Sequence, residues 1–487
     1  MDQTEYWDVW AIWGMRKPLC SRPDGSMSRR LFVLLFLTLA LPVSIFMAWS
    51  MPPFFNVDET NHVMRAETVL QGQFFGKKAG TDQSGGKIDS ALLGLLDRYW
   101  PMLTDPQKHV TVEHMAAARE IHWGAERHFV HIPNTAIYPP NLYLPTMIGL
   151  GLGKVFDLPV QDSILLARFF NIGFSTALIA AALWLTAWGR GAMLAIALWP
   201  MSVAQYAACS QDGLLIAMAA LFVALLSRAM ADGRRSTGAE FLGMALLVAL
   251  MSMSRPTNLL FLLPLWWVMP ARIGRWPGWV GPAVAALLTI GWALHAALFV
   301  QVMQHHDGIS PDMKAQLSYL AAHPLAFPEA FFNTLERWWW PFTVAMLGWV
   351  GWAHTNIVLP APAYDFYLNS FGLLLLLILV DPQNRPAPRQ KLTVGLTLLG
   401  SVLAIFFLQY LTFTAPAADM VGGVQGRYFI PLAFLLCLLP PALSRYLPVR
   451  HSVLAAALVV LAVGITTAVA LPYATMLQVY KGAAALP

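Results

Sequence analysis

The sequence predicts an all-α protein that crosses a membrane many times, and three observations predict it. Hydrophobic residues make up 57% of the 487 residues and charged ones only 12%, with a mean hydropathy of +0.56, which leaves too little polar surface for a soluble domain. The apolar residues fall in runs of about 20, the length a helix needs to cross a hydrocarbon core of about 30 Å. Those runs are continuously apolar and do not alternate, which points to helices and away from a barrel.

Taken in order, the chain opens with Trp7, Trp10 and Trp13 beside Val9 and Ile12, the spacing of a short helix lying at headgroup level. The first span follows at roughly 31–51, behind Arg16, Lys17, Arg22, Arg29 and Arg30, and is too long for the core of a cleavable signal. Further spans are expected at roughly 163–188, 191–209, 212–231, 239–254, 257–270, 279–301, 365–381, 392–413, 428–446 and 452–471, about eleven in all. Two polar segments, 52–162 and 302–364, interrupt them and carry amphipathic stretches that read as surface-lying helices. Four regions result: an amino-terminal segment 1–30, a transmembrane module 31–301 that includes the loop 52–162, a second loop 302–364, and carboxy-terminal helices 365–487.

Residues 138–156 are either a span or a half-inserted helix, and charge placement decides between them. If they do not cross, Arg190, Arg228/Arg234/Arg235, Arg272/Arg275, Arg385/Arg389/Lys391 and Arg445/Arg450 all share the side of the basic amino terminus, as the positive-inside rule requires. The stretch is therefore expected to be juxtamembrane. That choice puts both long loops, and the short breaks Ser210-Gln211-Asp212, Ser254-Arg255-Pro256-Thr257 and Gly422 to Arg427, on the outer face.

The formal charge of +5 is small and dispersed and gives no sign of a nucleic-acid partner. Cys20, Cys209 and Cys437 have no metal-ligand spacing and read as structural. No Asp-x-Asp or His cluster indicates a metal, and His305-His306-Asp307 reads as a solvated loop. Trp338-Trp339-Trp340-Pro341 reads as an aromatic belt, with stacking on sugar faces as the functional alternative.

The stretch from Asp58 to Gly72 has the marks of a helix: acids in its first turn, Val63, Ala66 and Leu70 at helical spacing, and a terminal Gly. It places Asp58 and Glu59 at its amino end, with His62 and Arg65 on or near one face, where the first span leaves the membrane. Adjacent helical residues diverge by about 100°, so the two acids are not expected to share one role.

Six motifs, in this order, carry a resemblance. They are Val57-Asp58-Glu59-x-x-His62-x-x-Arg65, Tyr138-Pro139-Pro140-x-x-Tyr143-x-Pro145, Ala167-Arg168-x-x-Asn171, Ser210-x-Asp212-Gly213, Leu347-Gly348-Trp349 and Gln425-Gly426-Arg427-Tyr428-x-x-Pro431. Together they resemble the GT-C glycosyltransferases, and within that group a poorly characterised bacterial family of multispan membrane proteins. The resemblance implies a GT-C-like fold with juxtamembrane helices in a long first extracytoplasmic loop. It implies an inverting enzyme of a bacterial inner membrane, amino terminus cytoplasmic, that moves a hexosyl or pentosyl unit from a polyprenyl-phosphate donor to a glycan, lipid or protein acceptor on the extracytoplasmic side. Asp58 or Glu59 would be the base, and Arg168, Arg255 and Arg427 would meet the lipid phosphate. His62, Arg65, Tyr138, Tyr143, Asp212, Gln425 and Tyr428 would complete the substrate site. No cofactor is indicated, although some members of the superfamily use a divalent ion. The rival reading is a flippase or transporter of lipid-linked sugar. Against it, the ionisable groups sit at span ends with His295 the main exception, and no pair of interrupted helices repeats in two halves.

Overall fold

The computed structural model describes residues 25–105, 107–231, 236–303, 309–352, 356–380, 386–440 and 449–480. The expected amino-terminal surface helix at Trp7 to Trp13, Cys20, Arg234, Arg235, the His305-His306-Asp307 triplet, Arg385 and Arg445 lie outside them.

Helix α1 (Gly25–Ser50) is apolar beyond Arg30 and carries the span Ser28–Ser50. The first loop then opens with α2 (Glu59–Leu70). It continues through a three-stranded antiparallel sheet, β1 (Lys77–Ala79), β2 (Gln83–Asp89) and β3 (Arg127–His131), with β2 in the middle. The expectation of a purely helical chain fails here, for a local reason. Gly85 and Gly86 disfavour a helix, and Gly85 lies so close to the β3 backbone that a Cβ would sit 1.8 Å from the Val130 carbonyl oxygen. Between β2 and β3 lie α3 (Ser90–Thr104) and α4 (Val112–Ala118), followed by the single turn α5 (Pro133–Ala136).

Helix α6 (Leu144–Val155) has 12 residues and about 18 Å of rise, less by itself than a hydrocarbon core of about 30 Å. It lies against α7 (Val160–Leu185). Gly149 and Gly153 permit the crossing: a Cβ at the first would lie 2.2 Å from the Ala167 Cα, and at the second 2.1 Å from the Ser163 Oγ. The Asn171 amide, donating to Thr146 Oγ1 at 2.8 Å, closes the same contact. This seam brings the turn containing Arg168 beneath the loop.

The remaining helices are α8 (Arg190–Ala197), α9 (Pro200–Tyr206), α10 (Asp212–Ala231), α11 (Gly238–Ser254), α12 (Val280–His295), α13 (Met313–Ala322), α14 (Ala326–Leu347), α15 (Ala361–Val380), α16 (Pro388–Thr412), α17 (Ile430–Ala433) and α18 (Val449–Val479). A 3-10 segment runs over Pro256–Val268. Among the described residues seven helices are long and apolar enough to cross a membrane: Ser28–Ser50, Val160–Leu185, Asp212–Ala231, Val280–Val300, Ala361–Leu379, Pro388–Thr412 and Ser452–Val479. Three more expected spans appear as shorter apolar helices, Gly238–Ser254, Pro256–Val268 and Gly426–Leu438. The one expected at 191–209 is interrupted at Pro200, which has no amide hydrogen to continue α8 into α9.

Helix α18 returns to the start of the bundle, where Tyr480 Oη donates to the Ser50 carbonyl at 2.5 Å. The end of α1, the first loop, the start of α10, the end of α11 and the 422–427 break therefore meet at one end of the bundle, through the contacts described next.

Candidate functional site

The chain leaves α1 through Pro52 and Pro53, and two non-glycine residues adopt left-handed backbone conformations, Phe54 at φ 74° and Asp58 at φ 56°. Such conformations are costly for most L-residues and are tolerated best by Asp and Asn. Asp58 caps α2 by position, but its side chain makes no capping bond and is directed elsewhere. Val63 and Ala66, each 0% exposed, hold α2 down.

Glu59 is fully buried, and its carboxylate accepts four N–H groups. Oε1 takes Arg168 Nε at 2.8 Å and the Cys209 amide at 2.9 Å, and Oε2 takes the Phe54 amide at 3.1 Å and Arg168 Nη2 at 2.5 Å. Arg168, only 2% exposed, spends its remaining donors on the carbonyls of Ala48 at 3.0 Å, Met51 and Pro52 at 2.9 Å. Burial alone would raise the Glu59 carboxyl, but the Arg168 guanidinium and the hydrogen bonds from Arg168 and Cys209 outweigh it and hold the group below its ordinary value. Glu59 and Arg168 thus staple the end of α1, the start of α2, α7 and the break before α10.

Asp58 belongs to a different network. Its Oδ2 pairs with Arg427 Nη2, 369 residues away; Arg427 Nε donates to Asp212 Oδ2 at 2.8 Å; and Asp212 Oδ1 pairs with Arg255 Nη2. Two carboxylates and two guanidinium groups form one chain of ion pairs, drawn from four separate segments. Side-chain exposure runs from 6% at Arg427 and 7% at Asp212 through 16% at Arg255 to 23% at Asp58, so Asp58 is the member most open to another molecule. The Arg255 guanidinium lies 4.1 Å over the Tyr428 ring, which fixes its plane.

His62, one turn into α2, is hydrogen-bonded through Nδ1 to the Tyr143 hydroxyl at 2.7 Å and stacks on Tyr138 with ring centroids 6.1 Å apart. Burial is the largest influence on its ring. With Arg427 and Arg255 it outweighs the pull of Asp212 and Asp58 and lowers the pKa to about 4, so His62 is neutral at ordinary pH. Burial likewise pushes the Tyr138 and Tyr143 phenols up, and both stay protonated.

The sequence candidates therefore separate. Asp58, Asp212, Arg255, Arg427, Tyr428 and, beside them, His62, Tyr138 and Tyr143 come together. Arg168 joins Glu59 in the staple. Arg65 points away: its guanidinium donates to Tyr138 O at 2.9 Å, Phe74 O at 2.6 Å, Gln73 O at 3.1 Å and Thr68 Oγ1 at 3.0 Å, tying α2 to the loop. Gln425 lies two residues before Arg427. Sequence reasoning missed Lys154, whose ammonium donates to Glu67 Oε1 at 2.6 Å and ties α2 to α6. Glu67 follows Glu59 by eight residues on α2 and Lys154 closes the glycine-rich run, but nothing in either pattern pairs them. Among the described residues no three His, Cys, Asp or Glu side chains gather as a metal set would.

Residues 41–436 match the model of one protein family, described as "Predicted membrane protein (DUF2142)". No curated protein and no solved structure matches the chain. The match takes in α1 from its midpoint, the whole first loop and all four segments of the ion-pair chain. On that extent, the chain belongs to the DUF2142 family of membrane proteins.

Proposed function

We propose that the protein is an inverting GT-C-type glycosyltransferase that moves a sugar from a polyprenyl-phosphate donor to an acceptor hydroxyl on the extracytoplasmic side of a bacterial inner membrane. The observation that carries this reading is the chain of ion pairs from Asp58 through Arg427 and Asp212 to Arg255. A lipid-borne phosphate can enter only where spans meet the membrane surface, and paired guanidinium groups are what bind it there. Inversion needs one carboxylate to take the proton of the attacking hydroxyl while the bond from the anomeric carbon to the phosphate oxygen breaks.

Asp58 is the base in this scheme because it is the more open carboxylate and only one of its oxygens is engaged by Arg427. Arg427 and Arg255 neutralise the departing phosphate, and Asp212 holds the two guanidinium groups at a fixed separation. Glu59 and Arg168 position the segment and do not touch substrate. His62, being neutral, adds no charge and is placed to bind a sugar hydroxyl. The same reading has the three shorter apolar helices and the broken α8–α9 pair cross the membrane, making eleven crossings with the amino terminus inside.

The test is transfer by the purified chain supplied with candidate polyprenyl-phosphate sugars. Asp58→Asn is expected to lower the rate about a hundredfold to ten thousandfold, the worth of a general base. Transfer at the wild-type rate by Asp58→Asn overturns the assignment.

A further inference from the structure

Each of the three breaks that supply Asp212, Arg255 and Arg427 also supplies an amide side chain. Gln211 precedes Asp212; Asn258 sits one tight turn beyond Arg255, its N–H donating to the Arg255 carbonyl at 2.9 Å; Gln425 lies two residues before Arg427. Gln211 is 0% exposed and Asn258 4%. Neither amide atom of Gln211 finds a hydrogen-bond partner among the described residues, nor does Asn258 Nδ2 or Gln425 Oε1. Ser254 Oγ and Arg255 Nε share that condition in the same segment.

A buried polar atom without a partner costs stability, and folded chains keep few without a reason. Here six such atoms fall within three short segments, each within three positions of a charged residue of the ion-pair chain. Their chemistry is specific. Gln211 Nε2, Asn258 Nδ2 and Arg255 Nε donate, Gln211 Oε1 and Gln425 Oε1 accept, and Ser254 Oγ does either. Apart from Arg255 Nε these groups are uncharged, and their mixture of donors and acceptors matches hydroxyl groups, each of which is both. It does not match a second anion, because the two guanidinium groups already face two carboxylates and, on the reading above, the donor phosphate.

We propose that these amides form the glycosyl subsite and select an uncharged, polyhydroxylated sugar over one that bears a carboxylate. The inference rests on the polyprenyl-phosphate reading of the ion-pair chain and adds to it the class of sugar. Gln211 is central to it, since both of its amide atoms are available and an amide presents donor and acceptor side by side, as vicinal hydroxyls require.

The experiment measures binding to the purified full-length chain in detergent. The probes are a polyprenyl monophosphate, the same lipid bearing a neutral hexose, and the same lipid bearing a uronic acid. Gln211→Leu and Asn258→Leu are each expected to weaken the hexosyl lipid about tenfold and to leave the bare lipid phosphate within about twofold. Wild type is expected to bind the hexosyl lipid more tightly than the uronosyl one. Without ligand, Gln211→Leu is expected to melt at or above the wild-type temperature, because it removes an unmatched buried amide. Equal losses for the bare and hexosyl lipids, no loss for either, or a lower melting temperature for Gln211→Leu overturns the subsite. Equal affinity for the uronosyl lipid overturns the selection for neutral sugars. A wild-type chain that binds none of the three lipids overturns the polyprenyl-phosphate reading, and this inference with it.

Discussion

Replacing Glu59 by Gln separates the two neighbouring acids, because Glu59 is held in a buried staple while Asp58 is the base in the proposed reaction. Glu59 is 0% exposed and its carboxylate receives four N–H donors, two of them from an Arg168 that is itself 2% exposed. A glutamine keeps the shape but turns one acceptor oxygen into an NH2 group facing donors, and it leaves the guanidinium with three carbonyls and no counter-charge. Removing one partner of a buried pair costs about 3–5 kcal/mol, so Glu59→Gln is expected to lose about 3 kcal/mol. Asp58→Asn loses one ion pair at a side chain 23% exposed, while Arg427 keeps Asp212, and asparagine accepts φ 56°. Its cost is about 1 kcal/mol or less. Equilibrium unfolding in detergent, followed by tryptophan fluorescence, should rank wild type and Asp58→Asn close together with Glu59→Gln well below. The sign of the pH dependence adds a check. Glu59 is held below its ordinary 4.5, so its contribution is complete above that pH and disappears only as pH falls through the lower folded value. The gap between wild type and Glu59→Gln should therefore persist at pH 5 and close under stronger acid. Glu59→Gln unfolding with wild type, or Asp58→Asn unfolding first, would refute the assignment of the staple to Glu59.

Two further perturbations test neighbouring parts of the site. His62 titrates near 4 in the folded chain and near 6.5 in the unfolded one, so the unfolded state takes up the proton first as pH falls, and stability should decline by about 3 kcal/mol between pH 6.5 and 4. His62→Gln should flatten that decline, and an unchanged slope in the variant would remove His62 as its cause. Gly149→Ala places a methyl group where the Ala167 Cα leaves 2.2 Å, which must part α6 from α7 beside Arg168. The variant is expected to run as aggregate in size-exclusion chromatography, and a monodisperse peak with wild-type melting would show that the seam tolerates separation.

Much of this architecture is legible in the residues because the membrane imposes a coarse rule. An apolar run long enough to cross must be a helix, and seven of the expected runs are helices long and apolar enough to do so among the described residues. The small sheet was not legible. Gln83–Asp89 has one β-branched residue, Ile88, and no hydrophobic alternation, and it becomes a strand through pairing with Arg127–His131, a contact between distant segments. For the site, residue type and position at span ends picked out the charged members, since a guanidinium or carboxylate at the lipid boundary has few uses. Their partners were not legible. Nothing in Asp58-Glu59 announces that the first acid faces Arg427 and the second Arg168, because the left-handed turn at Asp58 sends consecutive side chains into different networks. Lys154, Gln211 and Asn258 escaped for a related reason, as neutral or solvent-tolerant groups carry no signal until burial gives them one.

The same turn allows a test that electrostatics alone cannot pass. Exchanging the two acids, Asp58→Glu with Glu59→Asp, preserves charge and composition at both positions. If a pair of negative charges at the end of α1 were all that mattered, the exchange would be nearly silent. The geometry says otherwise. An aspartate at 59 is one methylene shorter, about 1.5 Å, and cannot reach the amides of Phe54 and Cys209 together with two nitrogens of Arg168. A glutamate at 58 must hold φ 56°, a conformation that Asp and Asn adopt more readily than Glu, and it carries its carboxylate past Arg427. The exchanged chain should unfold as readily as Glu59→Gln and transfer no sugar. The single Asp58→Glu variant should keep its fold and lose only transfer. An exchanged chain that melts and transfers like wild type would mean that the two carboxylates are interchangeable, and the separation of a stapling acid from a catalytic one would have to be abandoned.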